Sequence, residues 1–167
     1  MPKPNNDLTA AFVRKILFYD PATGVFTWRV RVSHNTRAGD VAGYTKPGNH
    51  GYFVITVKNK VRLAHRLAWL YMTGKHPKHM IDHVDSDKTN NKWENLREAT
   101  HAQNNCNSKV RAKSGAKGVQ QHYNKWTAKI TVDSRPRYLG LFETKELAAA
   151  AYAAAAKKYH GEFARIE

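Results

Sequence analysis

Apolar and polar positions alternate in ways that divide the chain into short elements. In residues 8–18, Leu8, Phe12, Ile16 and Leu17 recur at helical spacing and predict a helix. Asp20-Pro21-Ala22-Thr23-Gly24 is a turn signal, and residues 25–30 read as a short strand. Residues 33–50, rich in Gly, Asn, His and charge, read as loop. Residues 52–57 then alternate, Lys58-Asn59-Lys60 turns the chain, and residues 61–63 return as the second arm of a hairpin. A compact helix follows over residues 64–72, stopped by Gly74.

Residues 80–107 predict strand, polar loop, strand and helix. The strands are residues 80–83 and 96–99, separated by the polar run 85–92. Thr100 caps the helix, and Gln103 completes a capping box. Residues 108–116 are basic and small, a linker able to lie along phosphates. Three strands then span residues 118–122, 126–132 and 137–142, before a helix over 144–159 that ends near Gly161. Ala148, Ala151 and Ala155 give that helix a smooth face for close sheet packing. Along the middle strand Trp126, Ala128, Ile130 and Val132 are predicted to face it. Thr127, Lys129 and Thr131 face the other way. The fold class is therefore α+β: an N-terminal helix and hairpin region, a strand–strand–helix core, then a three-stranded antiparallel sheet on one helix.

Charge directs attention to a polyanion. Twenty-eight Lys and Arg face thirteen Asp and Glu, a net charge of +15 over 167 residues. Such a balance attracts nucleic acid and releases its counterions. An anionic membrane surface would call for a basic amphipathic helix, but the basic residues here are spread along the chain. The single cysteine, Cys106, argues against zinc fingers and cysteine-built zinc sites. The N-terminus lacks the apolar run of a signal peptide, and the alanine-rich stretch 147–156 falls short of a membrane span. The expected location is the cytosol, that of the host if the chain is phage-encoded.

Chemistry concentrates in Asp82-His83, followed by Asn95 and Asn104, twelve and nine residues further on in turn. The stretch 81–97, IDHVDSDKTNNKWENLR, resembles the signature of phage-type HNH homing endonucleases of the His-Me finger (ββα-metal) superfamily. Upstream Ala64-His65-Arg66-Leu67-Ala68-Trp69, downstream Gln103-Asn104-Asn105 and residues 19–28 fit the same pattern, so the resemblance runs over about residues 8–108.

The resemblance implies roles. His83 is the general base, suited by an imidazole pKa near neutrality. Asp82 and Asn104 are ligands of one Mg²⁺ or Mn²⁺ ion, whose hard character matches oxygen donors. Asn95, also catalytic, pins the polar loop and orients His83. His65 and Arg66 are candidate phosphate contacts, with bracing of the site the alternative for His65. Asp85-Ser86 stands where the family often has Asn-Gly, and Asn104 rather than His favours magnesium over zinc. His34, His50, His76, His79 and His101 show no ligand spacing.

Gly118 to Ile130, Tyr138 to Thr144 and Glu146 to Tyr152 resemble the apetala-two/ethylene-response-factor DNA-binding domain, over about residues 115–164. That resemblance implies a sheet laid in the major groove. Gln120, His122, Lys129, Thr131 and Tyr138 would contact DNA, with Lys109, Arg111 and Lys113 of the linker beside them. Where the plant domains use several arginines, this chain has Gln120, His122, Lys129 and Thr131, so its base preference differs.

The domain expectation is a nuclease domain over 1–107 (core 52–107), a basic linker over 108–116 and a DNA-binding domain over 117–167. The functional expectation is a magnesium-dependent endonuclease on double-stranded DNA, nicking or cutting both strands, as a monomer or a DNA-assembled dimer, with no membrane partner. The alternative is a sequence-specific DNA-binding regulator with an inactive nuclease domain. An RNA-binding protein is disfavoured, because the sheet face lacks paired exposed aromatics for base stacking.

Overall fold

The computed structural model describes residues 8–45, 48, 50–108 and 114–165. The chain divides into two compact units, Met1–Glu98 and Ala99–Glu167, and the fold is mixed α+β.

The first unit begins with α1 (Ala10–Ile16), capped where the Thr9 hydroxyl accepts the Phe12 N–H. The helix ends two residues before its expected limit. Leu17 turns extended, and β1 (Leu17–Tyr19) pairs antiparallel with β2 (Phe26–Trp28). Helical spacing conceals this switch, because Leu17 fits both periods. Burial of Leu17 and Tyr19 with Phe18 exposed is the two-residue period of a strand, and tertiary pairing decides the outcome.

The expected loop over 33–50 also contains a short strand, β3 (Tyr44–Thr45), paired with Val54 and Phe53 of β4 (Phe53–Val57). Both β3 residues are exposed, so no apolar alternation marks it. β4 continues into β5 (Lys60–Leu63) through the two-residue turn Lys58–Asn59, both at positive φ, and Lys60 belongs to the strand. α2 (Ala64–Thr73) follows, ending at Gly74. Val13, Leu17, Tyr19, Phe26, Ile55 and Leu70 form the centre of one core, which also includes Ile81 and Leu96. Each fully buried aliphatic side chain contributes roughly 1.5–3 kcal/mol relative to exposure.

β6 (Met80–His83) and β7 (Leu96–Ala99) form a two-stranded sheet. One turn of 3-10 helix, Trp93–Asn95, leads into β7.

The second unit starts with α3 (His101–Cys106), whose capping box between Thr100 and Gln103 is formed as expected. The Lys117 ammonium donates to the carbonyls of Cys106 and Ser108, satisfying acceptors around the helix C-terminus. β8 (Val119–His122), β9 (Lys125–Val132) and β10 (Arg135–Phe142) make an antiparallel sheet in the order β10-β9-β8. The long helix α4 (Lys145–His160) packs on one face of it. Ala128 and Ile130 are buried against that helix, with Trp126 and Val132 partly covered. Of the expected face, Ala148 is buried and Ala155 packs against the core, while Tyr152 and Ala156 complete the buried row. Ala148, Tyr152 and Ala156 are its buried residues, an i, i+4, i+8 row in which the Tyr152 ring supplies bulk between two alanines. Ala151 lies off this row.

Candidate functional site

β6 carries Ile81 into the core and brings Asp82 and His83 beside it, each about nine-tenths buried or more at 6% and 4% exposed. A carboxylate so placed needs a partner. Arg97 on the neighbouring strand supplies one, donating from Nε and Nη2 to Asp82 Oδ2 at 3.0 and 2.9 Å. Strand pairing thus converts a separation of fifteen residues into a buried ion pair.

The polar loop between the strands is held by its own side chains. Asn95 accepts from the Asp85 N–H at 3.0 Å and donates to Asp85 Oδ1 at 2.9 Å and to the Asn90 carbonyl at 2.8 Å. Asn90 donates to Asp85 Oδ2 at 2.7 Å. Asp85 and Asp87 each accept a backbone N–H two residues ahead. Ser86 adopts φ 60°, the left-handed conformation in which glycine meets no Cβ penalty.

Asn91 is hydrogen-bonded to the His83 ring, with Oδ1 at 3.2 Å from Nε2. Asn91 is itself buried and anchored from the N-terminal hairpin: the Tyr19 hydroxyl donates to its carbonyl at 2.6 Å. Next to it, the Trp93 N–H donates to the Pro21 carbonyl at 3.0 Å. The edge-on ring of His65 lies 5.0 Å from that of His83, and Tyr52 packs against both.

Burial holds the His83 pKa below the ordinary imidazole value, against the opposing pull of the Asn91 hydrogen bond and of Asp85, Asp82 and Asp87. His65 is pushed down to about 3 by burial, with His83 and Arg66 adding to the effect. Near neutral pH both rings are therefore uncharged, and His83 is in the form that accepts a proton.

Asp82, His83, Asn95 and His65 thus come together in the first unit. His65 is only 4% exposed, so its ring offers a phosphate almost no surface. Its Nδ1 is buried without a hydrogen-bond partner among the described residues. Arg66, half-buried, follows it on α2. Asn104 belongs to the second unit, on α3. Among the described residues no cluster of three or more His, Cys, Asp or Glu is arranged to hold a metal ion.

On the second unit, cross-strand register brings the expected sheet residues to one face. Gln120 is opposite Thr127, His122 opposite Lys125, Tyr138 opposite Lys129 and Pro136 opposite Thr131. Opposed residues share a face, and Gln120, His122, Lys129, Thr131 and Tyr138 are all exposed. Tyr123, in the β8–β9 turn, is 87% exposed, so Tyr138 is accompanied by a second exposed aromatic at the rim. Lys109, Arg111 and Lys113 lie outside the described residues.

Arg97, Asn91, Tyr19 and Tyr52 are the site residues that spacing alone does not single out. For Arg97 a signal exists: a buried aspartate on one strand calls for a cation on its neighbour.

Residues 62–106 match the family model described as HNH endonuclease. A similar curated protein is the "Uncharacterized HNH endonuclease L560" of Acanthamoeba polyphaga mimivirus, 34% identical over 119 residues. The match covers 70% of this chain and spans 63% of that protein's length.

Proposed function

We propose that this chain, whose residues 62–106 match the HNH endonuclease family, is a metal-dependent endonuclease of phage homing type that hydrolyses phosphodiesters in double-stranded DNA. The observation carrying this reading is the buried His83, hydrogen-bonded to Asn91 and adjacent to Asp82.

In this reading His83 takes a proton from water as the water oxygen bonds to phosphorus and the bond to the 3′ oxygen breaks. The products are 5′-phosphate and 3′-hydroxyl ends. Asn95 keeps the Asp85–Asn90 turn closed, so the strand carrying His83 ends in a fixed place. Asp82 and Asn104 would hold one Mg²⁺ or Mn²⁺ ion. Their donor set, a carboxylate and an amide oxygen with no thiolate, fits a hard cation. Such an ion, when bound, stabilises charge on the phosphoryl oxygens and the leaving oxygen. Arg97 orients Asp82 in its buried position through two hydrogen bonds to Oδ2. His65 braces the His83 ring from the side.

We assign residues 1–107 to the nuclease and 117–167 to an apetala-two-like DNA-binding domain, with the basic segment 108–116 between them. One active site per chain nicks one strand; cutting both requires two chains assembled on DNA. No helix among the described residues is long and apolar enough to cross a membrane.

The test is incubation of the purified chain with phage and host DNA, with and without Mg²⁺, followed by mapping of the ends. Metal-dependent 5′-phosphate ends are expected. Binding without any cleavage would favour the DNA-binding regulator instead.

The sheet face carries its own prediction. Replacing both Lys129 and Tyr138 by Ala should weaken DNA binding and lower the salt dependence of the affinity by roughly 0.9 in log–log slope, one phosphate contact's worth. Thermal stability should stay within about 0.5 kcal/mol, because both side chains are exposed. Unchanged affinity across a salt titration would place the DNA surface elsewhere.

A further inference from the structure

We propose that Gln120, Thr127 and Leu141 form a row that selects A·T pairs in the major groove, with Gln120 on the adenine edge and Leu141 against the thymine methyl. This rests on the reading of the sheet face as the DNA surface, and adds which bases that face accepts.

The row is a product of strand register. Thr127 on β9 lies directly opposite Gln120 on β8 and Leu141 on β10, so the three side chains leave the sheet on one face. Leu141 reaches that face through an irregularity. Tyr138 is opposite Lys129 and Gly140 is opposite Ala128, so Leu139 is an extra residue, a β-bulge. Plain alternation from Tyr138 would turn Leu141 toward α4 and Phe142 outward. The bulge reverses both. Leu139 and Phe142 pack with the core under α4, and Leu141 stands 47% exposed. Gly140 accommodates the bulge at φ +142°, a conformation that favours glycine. The distortion thus re-aims an aliphatic side chain onto the same face as Lys129 and Tyr138.

The chemistry of the row discriminates between base pairs. A glutamine amide pairs with N6 and N7 of adenine, an apolar group packs on the 5-methyl of thymine, and a cation suits guanine O6 and N7. The row offers an amide and two apolar groups, and none of its three residues is a cation. The Thr127 hydroxyl donates to the Gln120 carbonyl at 3.2 Å, which leaves its methyl as the group to offer. Neighbouring strands lie about 4.8 Å apart, so Gln120 and Leu141 are separated by about 10 Å, within the roughly 12 Å width of the major groove. Set across the groove, the amide meets one strand and Leu141 the other. Lys129, two residues along β9, supplies charge for a phosphate, in a chain of net charge +15. Glu143, two residues beyond Leu141, is paired with Lys125 at 2.6 Å.

The experiment measures binding of the full chain to three short duplexes: repeated A·T, the same duplex with deoxyuridine for thymidine, and repeated G·C. Raised salt reduces the contribution of phosphate contacts and lets base contacts show. The A·T duplex should bind roughly 5- to 100-fold tighter than G·C, the range for one bidentate base contact. Gln120→Ala should remove most of that difference. Deoxyuridine pairs as thymidine does but lacks the methyl, and should bind roughly fourfold more weakly, the fold-change for exposing one CH₂ group. Leu141→Ala should bind the thymidine and deoxyuridine duplexes equally, a result that a merely structural role for Leu141 does not produce. Equal wild-type affinity for A·T and G·C would overturn the proposal. So would a thymidine preference that persists in folded Leu141→Ala. If either occurs while the Lys129 and Tyr138 double variant still weakens binding, the sheet remains the DNA surface and only the A·T row is lost. If that double variant binds as wild type does, both readings fall together.

Discussion

His83→Ala should reduce strand cleavage by about 10²- to 10⁴-fold, the range by which a positioned general base accelerates proton transfer. DNA affinity should change little. The ring is 4% exposed, so it contributes almost nothing to a surface that meets a polyanion. The two effects are separable by measuring binding without metal and cleavage with it. Removing the ring leaves a hole beside His65 and Tyr52; a melting curve on the same sample establishes that loss of cutting is not loss of fold. Full cleavage by a folded His83→Ala chain would remove this residue from the chemistry altogether.

The second large effect concerns a residue far from the motif in sequence. Gly24→Ala should destabilise the first unit by about 2–4 kcal/mol, combining a strained backbone with a steric clash. Gly24 has φ +75°, and a Cβ there would lie 2.4 Å from both the Asn91 carbonyl carbon and the Lys92 nitrogen. Both are backbone atoms, so no flexible side chain can swing aside. The clash falls on the segment that holds His83, and cleavage should decline before the chain unfolds. Gly39→Ala is the control: φ is +93° there too, but nothing lies within 4 Å of the added carbon. It should cost only the backbone strain, about 1 kcal/mol. Equal melting temperatures for the two variants would show that the hairpin does not support the loop.

How far the site was legible differs residue by residue. Asp82, His83 and Asn95 stand out because a short strand and a turn of polar residues leave a recognisable spacing. The β9 alternation Trp126, Ala128, Ile130, Val132 marks which side of the sheet meets α4, and the structure agrees. Asn91 is harder to see. In the run Thr89-Asn90-Asn91-Lys92 two asparagines look alike, and the contacts that separate them, Asp85 on Asn90 and the Tyr19 hydroxyl, 72 residues away, on Asn91, exist only in the fold. β1 and β3 are similarly hidden. Their strand character comes from partners elsewhere in the chain and not from their own pattern.

The turn at Asp133–Ser134 has a consequence for how such a protein can change. It contains two residues, both at positive φ, and joins Val132 to Arg135 as a directly opposed pair. Side chains in a strand alternate with strict period two, so the parity of this turn decides whether Tyr138 shares a side with Lys129 or with Ile130. One inserted residue would turn β10 over, sending Tyr138 toward α4 and Arg137 outward. Substitutions on the exposed face leave that parity untouched. On the proposed role of this face, variation in what it contacts is therefore open to point changes and closed to changes of length, so diverging copies should differ in the letters of this face while keeping its spacing.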